Sequence, residues 1–119
     1  MKFLLQFPYS WDSTFSLYDY SPSHAHLMLR GHQQDGSNLD LLFTAAMYTE
    51  MRTILYGLRL GLADERAVTH IRSRLGGQLM GLQCYELFSQ GQAYYICAGR
   101  VAFSENRLGA RSSLDIDGL

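Results

Sequence analysis

His24-Ala25-His26 is the arrangement in this chain best suited to chemistry. Residues i and i+2 of a strand project to one side, so both imidazoles can reach one ion. A site of that kind needs a third ligand. Asp40, His32 or, through a bulge, Glu50 could supply it, although Arg30 would compete for the Asp40 carboxylate. The plainer reading is two histidines on the polar face of a strand. No metal site is assigned, and His24 and His26 stand as candidate ligands alone.

The other reactive groups have local explanations. Cys84 and Cys97 lie outside any Cys-x-x-Cys motif, with no helix start after either. They read as two free thiols behaving as small hydrophobes, with Cys97 the less reactive because its strand is more apolar. A disulfide would require them to be cross-strand neighbours. No nucleophile elbow, phosphate loop, dinucleotide fingerprint or zinc-finger spacing occurs, so no catalytic residue and no cofactor is expected. Gly76-Gly77 follows a helix rather than opening one. Asp64-Glu65 reads as a helix start, and Asp115 with Asp117 as part of a polar tail.

Eight tyrosines and one tryptophan are the second signal. Tyr18, Tyr20, Tyr48, Tyr94 and Tyr95 cannot all face inward under one register. Aromatic rings with a polar tip favour protein interfaces, so the exposed members raise the expectation of a protein partner or a homodimer.

The elements that position these groups are readable from alternation. His24–Arg30 and Asn38–Phe43 flank Gln34-Asp35-Gly36 as a hairpin. A three-residue loop with Gly36 in the left-handed position sets Leu29 opposite Leu41, Leu27 opposite Phe43 and Ala25 opposite Ala45. The other face then carries His24, His26, Arg30 and Asp40, with Arg30 opposite Asp40 and His32 opposite Asn38. An exposed Arg30–Asp40 pair would contribute at most ~1 kcal/mol.

Elsewhere the chain reads more coarsely. Met1–Phe7 is a strand or a packed terminal segment. Thr14–Tyr20 alternates with Phe15 and Leu17 on one side, and Asp12-Ser13 caps or starts it. Residues 45–51 continue the strand through a bulge or form a helical turn. Ile54–Leu62 alternates around Gly57 and Gly61, which mark a bend or bulge, or let a backbone or ligand come close. Asp64–Leu75 is the one clear helix, with Asp64 as N-cap, a stripe of Ala67, Val68, Ile71 and Leu75, and Gly76 as its stop. Arg66, His70, Arg72 and Arg74 lie off that stripe, as a solvated basic face or an anion-binding patch. Leu82–Phe88 and Ala93–Phe103 form a second hairpin. A Gln90-Gly91 turn would place Cys84 opposite Cys97. A three-residue Ser89–Gly91 loop would place Tyr85 opposite Tyr95 and gives the more continuous apolar face; the sequence leaves both registers open.

A chain of 119 residues with 47% hydrophobic and 18% charged residues reads as one globular domain, 1–119, with 104–119 a mobile or lightly docked tail. A net charge of −1 argues against nucleic-acid binding. No run approaches the ~20 apolar residues of a membrane-spanning helix, and the short apolar start lacks a signal-peptide cleavage site. A cytoplasmic protein without membrane association is expected. The expected fold is α+β, a twisted antiparallel sheet of about six strands with helix 64–75 packed on one face; a half-open barrel of the same strands is the alternative.

The stretches His24–Phe43, Gly57-Leu58-Arg59-Leu60 and Tyr94-Tyr95-Ile96-Cys97-Ala98-Gly99 resemble small uncharacterised bacterial proteins of the standalone, immunity-like kind. They cover less than half of the chain. The resemblance implies a binding role and carries no residue roles. The functional expectation is a non-enzymatic interaction protein acting through an exposed sheet face or edge, with His24, His26, Arg30, Asp40, Tyr18, Tyr20 and Tyr94 as candidate binding residues. The alternative is a small-ligand or metal-binding domain using the His24/His26 face.

Overall fold

Alternating apolar residues leave one face of each strand to be buried, and most of the buried ones meet in a common interior. The computed structural model describes residues 2–4 and 7–109. They form β1 (Lys2–Leu4), β2 (Tyr9–Ser21), β3 (His26–His32), β4 (Asn38–Thr44), β5 (Tyr48–Glu50), β6 (Ile54–Leu62), α1 (Glu65–Arg74), β7 (Gln83–Ser89), β8 (Gln92–Ala98) and β9 (Arg100–Asn106). The structure is thus mostly antiparallel sheet with one helix. Its nine described strands replace the expected six, in the order β1-β9-β4-β3-β2-β6-β7-β8-β5.

Four of those strands are pieces of two longer ones. β4 runs into β5 across residues 45–47, and β8 runs into β9 across Gly99. β9 pairs with β4 while β8 pairs with β5. The Gly99 N–H donates to the Thr44 carbonyl at 2.7 Å, and the Met47 N–H to the Cys97 carbonyl at 3.0 Å, so the ladder continues through both breaks. Since β8 also pairs with β7 and β4 with β3, the sheet returns to its start. The result is a small barrel, not an open sheet. Gly99 is at the seam because an added Cβ would meet the Thr44 carbonyl oxygen at 3.3 Å and the Ala45 Cβ at 3.5 Å.

The barrel interior is one apolar cluster that includes Phe15, Leu27, Leu29, Leu41, Phe43, Leu55, Leu60, Leu87, Ile96 and Phe103. Trp11 joins it, stacked on Phe103 at 5.6 Å. The β3–β4 register is the expected one, with Leu27 on Phe43, Leu29 on Leu41, Arg30 on Asp40 and His32 on Asn38. Gly36 holds φ +88° in the loop between them. Ala25 and Ala45 do not pair; both adopt left-handed backbone, and the hairpin pairing ends at Leu27 and Phe43, two residues short of each.

Three further findings settle what alternation left open. The second hairpin takes the tight register, with Cys84 opposite Cys97 and Tyr85 opposite Ile96. Gln90 and Gly91 both have positive φ, the mirror-image turn whose twist matches the strands, and this outweighs the neater apolar face of the longer loop. β2 starts at Tyr9, so Asp12 and Ser13 lie within it, opposite Gly57 where its register on β6 shifts. Gly57, at φ +77°, thereby takes the bulge role. Phe15 and Leu17 share the core-facing side, opposite Gly31 and Leu29; Phe15 is buried, whereas Leu17 is 41% exposed because β2 leaves β6 after Ser16.

α1 begins where Asp64 caps it, accepting from the Ala67 N–H at 2.9 Å, and stops where the Gly77 N–H reaches the Arg72 carbonyl. It covers only part of the outer wall. Ile71 packs on Cys84 and Cys97, with Val68 and Leu75 beside it. Ala67, expected in the stripe, is outside that cluster. β9 takes up residues 100–106 of what was read partly as tail, and Asp115 and Asp117 lie outside the described residues. No described helix is long and apolar enough to cross a membrane.

Candidate functional site

The residues singled out from sequence separate into four places. The first is a buried ion pair on the outer wall. β3 and β4 point Arg30 and Asp40 away from the core, yet both side chains are 0% exposed, which corrects the expectation of a surface pair. Arg30 donates from Nε to Oδ1 at 2.7 Å and from Nη2 to Oδ2 at 3.0 Å. Its Nη1 donates to the Gly109 carbonyl at 2.7 Å, and the Tyr18 ring lies 4.2 Å from the guanidinium carbon. Asn106 donates to Asp40 at 2.8 Å and accepts from Asn38, whose own oxygen lies 3.1 Å from His32 Nδ1. Such a fork-on-fork pair in a bonded network holds β3, β4 and the segment from Asn106 to Gly109 together. It uses up the Asp40 carboxylate.

The second is the histidine pair. His24 sits in the turn before β3 rather than in the strand, and its ring stacks on His26 with centroids 5.5 Å apart. His26 is buried, and its Nδ1 has no hydrogen-bond partner. Burial, followed by the charges of His24 and Arg100, lowers its pKa. The third ligands proposed from sequence are engaged elsewhere: Asp40 with Arg30, His32 with Asn38, and Glu50 with the Tyr48 hydroxyl and His70. Among the described residues no group of three metal-ligating side chains forms.

The third place holds Tyr94. It packs against the barrel core and lines an opening of about 350 Å³ with Arg52, Ser89 and Gln92.

The fourth is a break in the barrel wall. β2 pairs with β6 only as far as Ser16 opposite Ile54, and the last tie is the Leu17 N–H to the Thr53 carbonyl at 2.8 Å. Beyond it β2 is held on one side alone, by β3. β5 is likewise held on one side alone, by β8. Between these two edges lies a cleft of about 330 Å³ lined by Leu17, Tyr20, Leu27, Ala46, Met47 and Thr49, with Tyr48 at its border. None of these carries a charge, and Leu17, Tyr20 and Met47 are 41%, 45% and 62% exposed. At the β2 edge the Tyr20 N–H is occupied by the carboxylate of Asp19 at 2.8 Å. Short, locally capped edges are how sheets limit uncontrolled pairing.

Sequence reading singled out Tyr20 of this cleft but missed Leu17 and Met47. Leu17 is exposed because β6 no longer flanks β2 there, a long-range pairing that leaves no mark on an alternation pattern. The left-handed Ala45 that redirects the chain before Met47 has no glycine to announce it. The chain matches no protein-family model, no curated protein and no solved structure. The site is therefore read from its own geometry.

Proposed function

We propose that this protein is a non-enzymatic binding protein whose cleft between β2 and β5 takes an extended apolar segment of a protein partner. The observation that carries the reading is the pairing of two unpartnered strand edges with exposed, uncharged lining. A strand added there would gain main-chain hydrogen bonds from the edge, while Leu17, Tyr20 and Met47 would receive its side chains. Tyr20 supplies the more exposed of the two tyrosine rings at the cleft, the kind of residue that dominates binding energy at such sites. Tyr18, by contrast, has its ring over Arg30 and serves the wall.

The alternative reading, a small ligand or metal at His24 and His26, rests on the stacked rings and the unpartnered Nδ1. One selection separates the two. Displayed random peptides are selected on the wild-type chain, and the recovered peptides are measured on variants checked for folding. Edge recognition predicts peptides with alternating apolar residues. Their affinity falls at least tenfold with Tyr20→Ala, Met47→Asp or Thr49→Pro, and is kept in His24→Ala/His26→Ala. Binding that needs both histidines and responds to added zinc or nickel would replace this reading with the metal site.

A further inference from the structure

Cys84 and Cys97 face each other across β7 and β8, and the backbone between them has the close kind of spacing. The Cys84 carbonyl accepts from Ala63 on the β6 side at 2.9 Å, and the Cys97 carbonyl accepts from Met47 on the β5 side at 3.0 Å. Each residue thus spends its main-chain groups on its outer neighbour, which makes the pair a non-hydrogen-bonded one. Opposed residues of that type have Cα atoms ~4.5 Å apart, within the range a disulfide spans. The thiols already touch, with the Cys97 S–H donating to the Cys84 sulfur at 2.9 Å. Both are buried under α1, against Ile71, with Val68, Leu75 and Leu82 around them.

We propose that Cys84 and Cys97 form a redox site, a dithiol that closes to an intramolecular disulfide with a small-molecule disulfide when α1 lifts from β7 and β8. One cysteine thiolate attacks a sulfur of the reagent, forming a mixed disulfide and releasing one thiolate. The second cysteine thiolate attacks the first cysteine's sulfur, closing the bridge and releasing the other. The chain loses two protons and two electrons, and the reagent leaves as two thiols.

The helix controls the reaction in two ways. It keeps the reagent out, and the apolar cover opposes thiolate formation. Burial, with the Cys84 thiol beside it, pushes Cys97 up to about 12. α1 has one fully buried residue, Ile71, and its first turn depends on the Asp64 cap. It is the kind of element that opens locally while the barrel stays folded.

The test incubates the intact reduced chain with hydroxyethyl disulfide and follows intact mass and free thiols. The expected product is a chain lacking two hydrogens with no thiol left, and a higher denaturant midpoint than the reduced form. Cys84→Ala and Cys97→Ala should each stop at a mixed disulfide. Asp64→Ala, which leaves both cysteines in place, should close roughly fivefold faster, the factor expected from losing a cap. Two mixed disulfides on one chain, or native thiols that stay unreacted where denatured chain is bridged, would overturn the site. An unchanged rate in Asp64→Ala would overturn the control by α1.

Discussion

At the scale of single residues, burial reverses two expectations drawn from polarity. Arg30 and Asp40 look like a surface pair in a strand pattern, yet neither is exposed. Removing Asp40 leaves a guanidinium without its counter-charge away from water, so Asp40→Ala should cost about 3–5 kcal/mol in denaturant melts, comparable to Leu29→Ala. Replacing both partners together should cost less than the sum of the two single changes, and a double-mutant cycle reads the difference. His26 gives a pH signature. Its folded pKa lies below the ordinary value of 6.5, because burial, His24 and Arg100 all oppose the charge. Folding therefore favours the neutral ring. The stability it contributes is fully present above that ordinary value and is lost as pH falls through it toward the depressed one. Melts between about pH 7 and pH 5 should show a declining midpoint, and His26→Leu should flatten that decline.

At the scale of elements, turns and caps decide what alternation leaves open. Gln90 and Gly91 set the β7–β8 register through two left-handed residues. Gly91→Val should therefore destabilise by roughly 1–2 kcal/mol, while Gln90→Asn, better suited to that backbone, should stabilise slightly. Chemical denaturation of the two variants checks both signs. The β3–β4 hairpin was legible because Gly36 fixes the loop and parity does the rest. The second hairpin was not, since both loop lengths gave plausible faces and the glycine alone did not choose between them. α1 was legible to within a residue at each end from Asp64 and Gly76. Its position was not, because the partners of Ile71 are set by how β7 and β8 pair.

For the whole molecule, the strands were readable but their closure was not. Nothing in the pattern at Ala45–Met47 or Gly99 says that one strand leaves off and the next continues along a different neighbour. Closure is set by long-range hydrogen bonds between residues such as Gly99 and Thr44. The candidate cleft depends on that closure, so only Tyr20 of it could be found beforehand. The ring has a further consequence for how the chain can be divided. The connection between β5 and β6 is exposed at Arg52 and Thr53. On one side of it lie β1 to β5, on the other β6 to β9 with α1, and four strand pairings join them. Cut there, each piece carries half of the interior and a matching pair of seams. Two separately produced fragments, 1–52 and 53–119, should reassemble when mixed, with a thermal midpoint that rises with fragment concentration. Each seam would then act as an intermolecular recognition surface, and a bulky residue in place of Gly99 should weaken the reassembly.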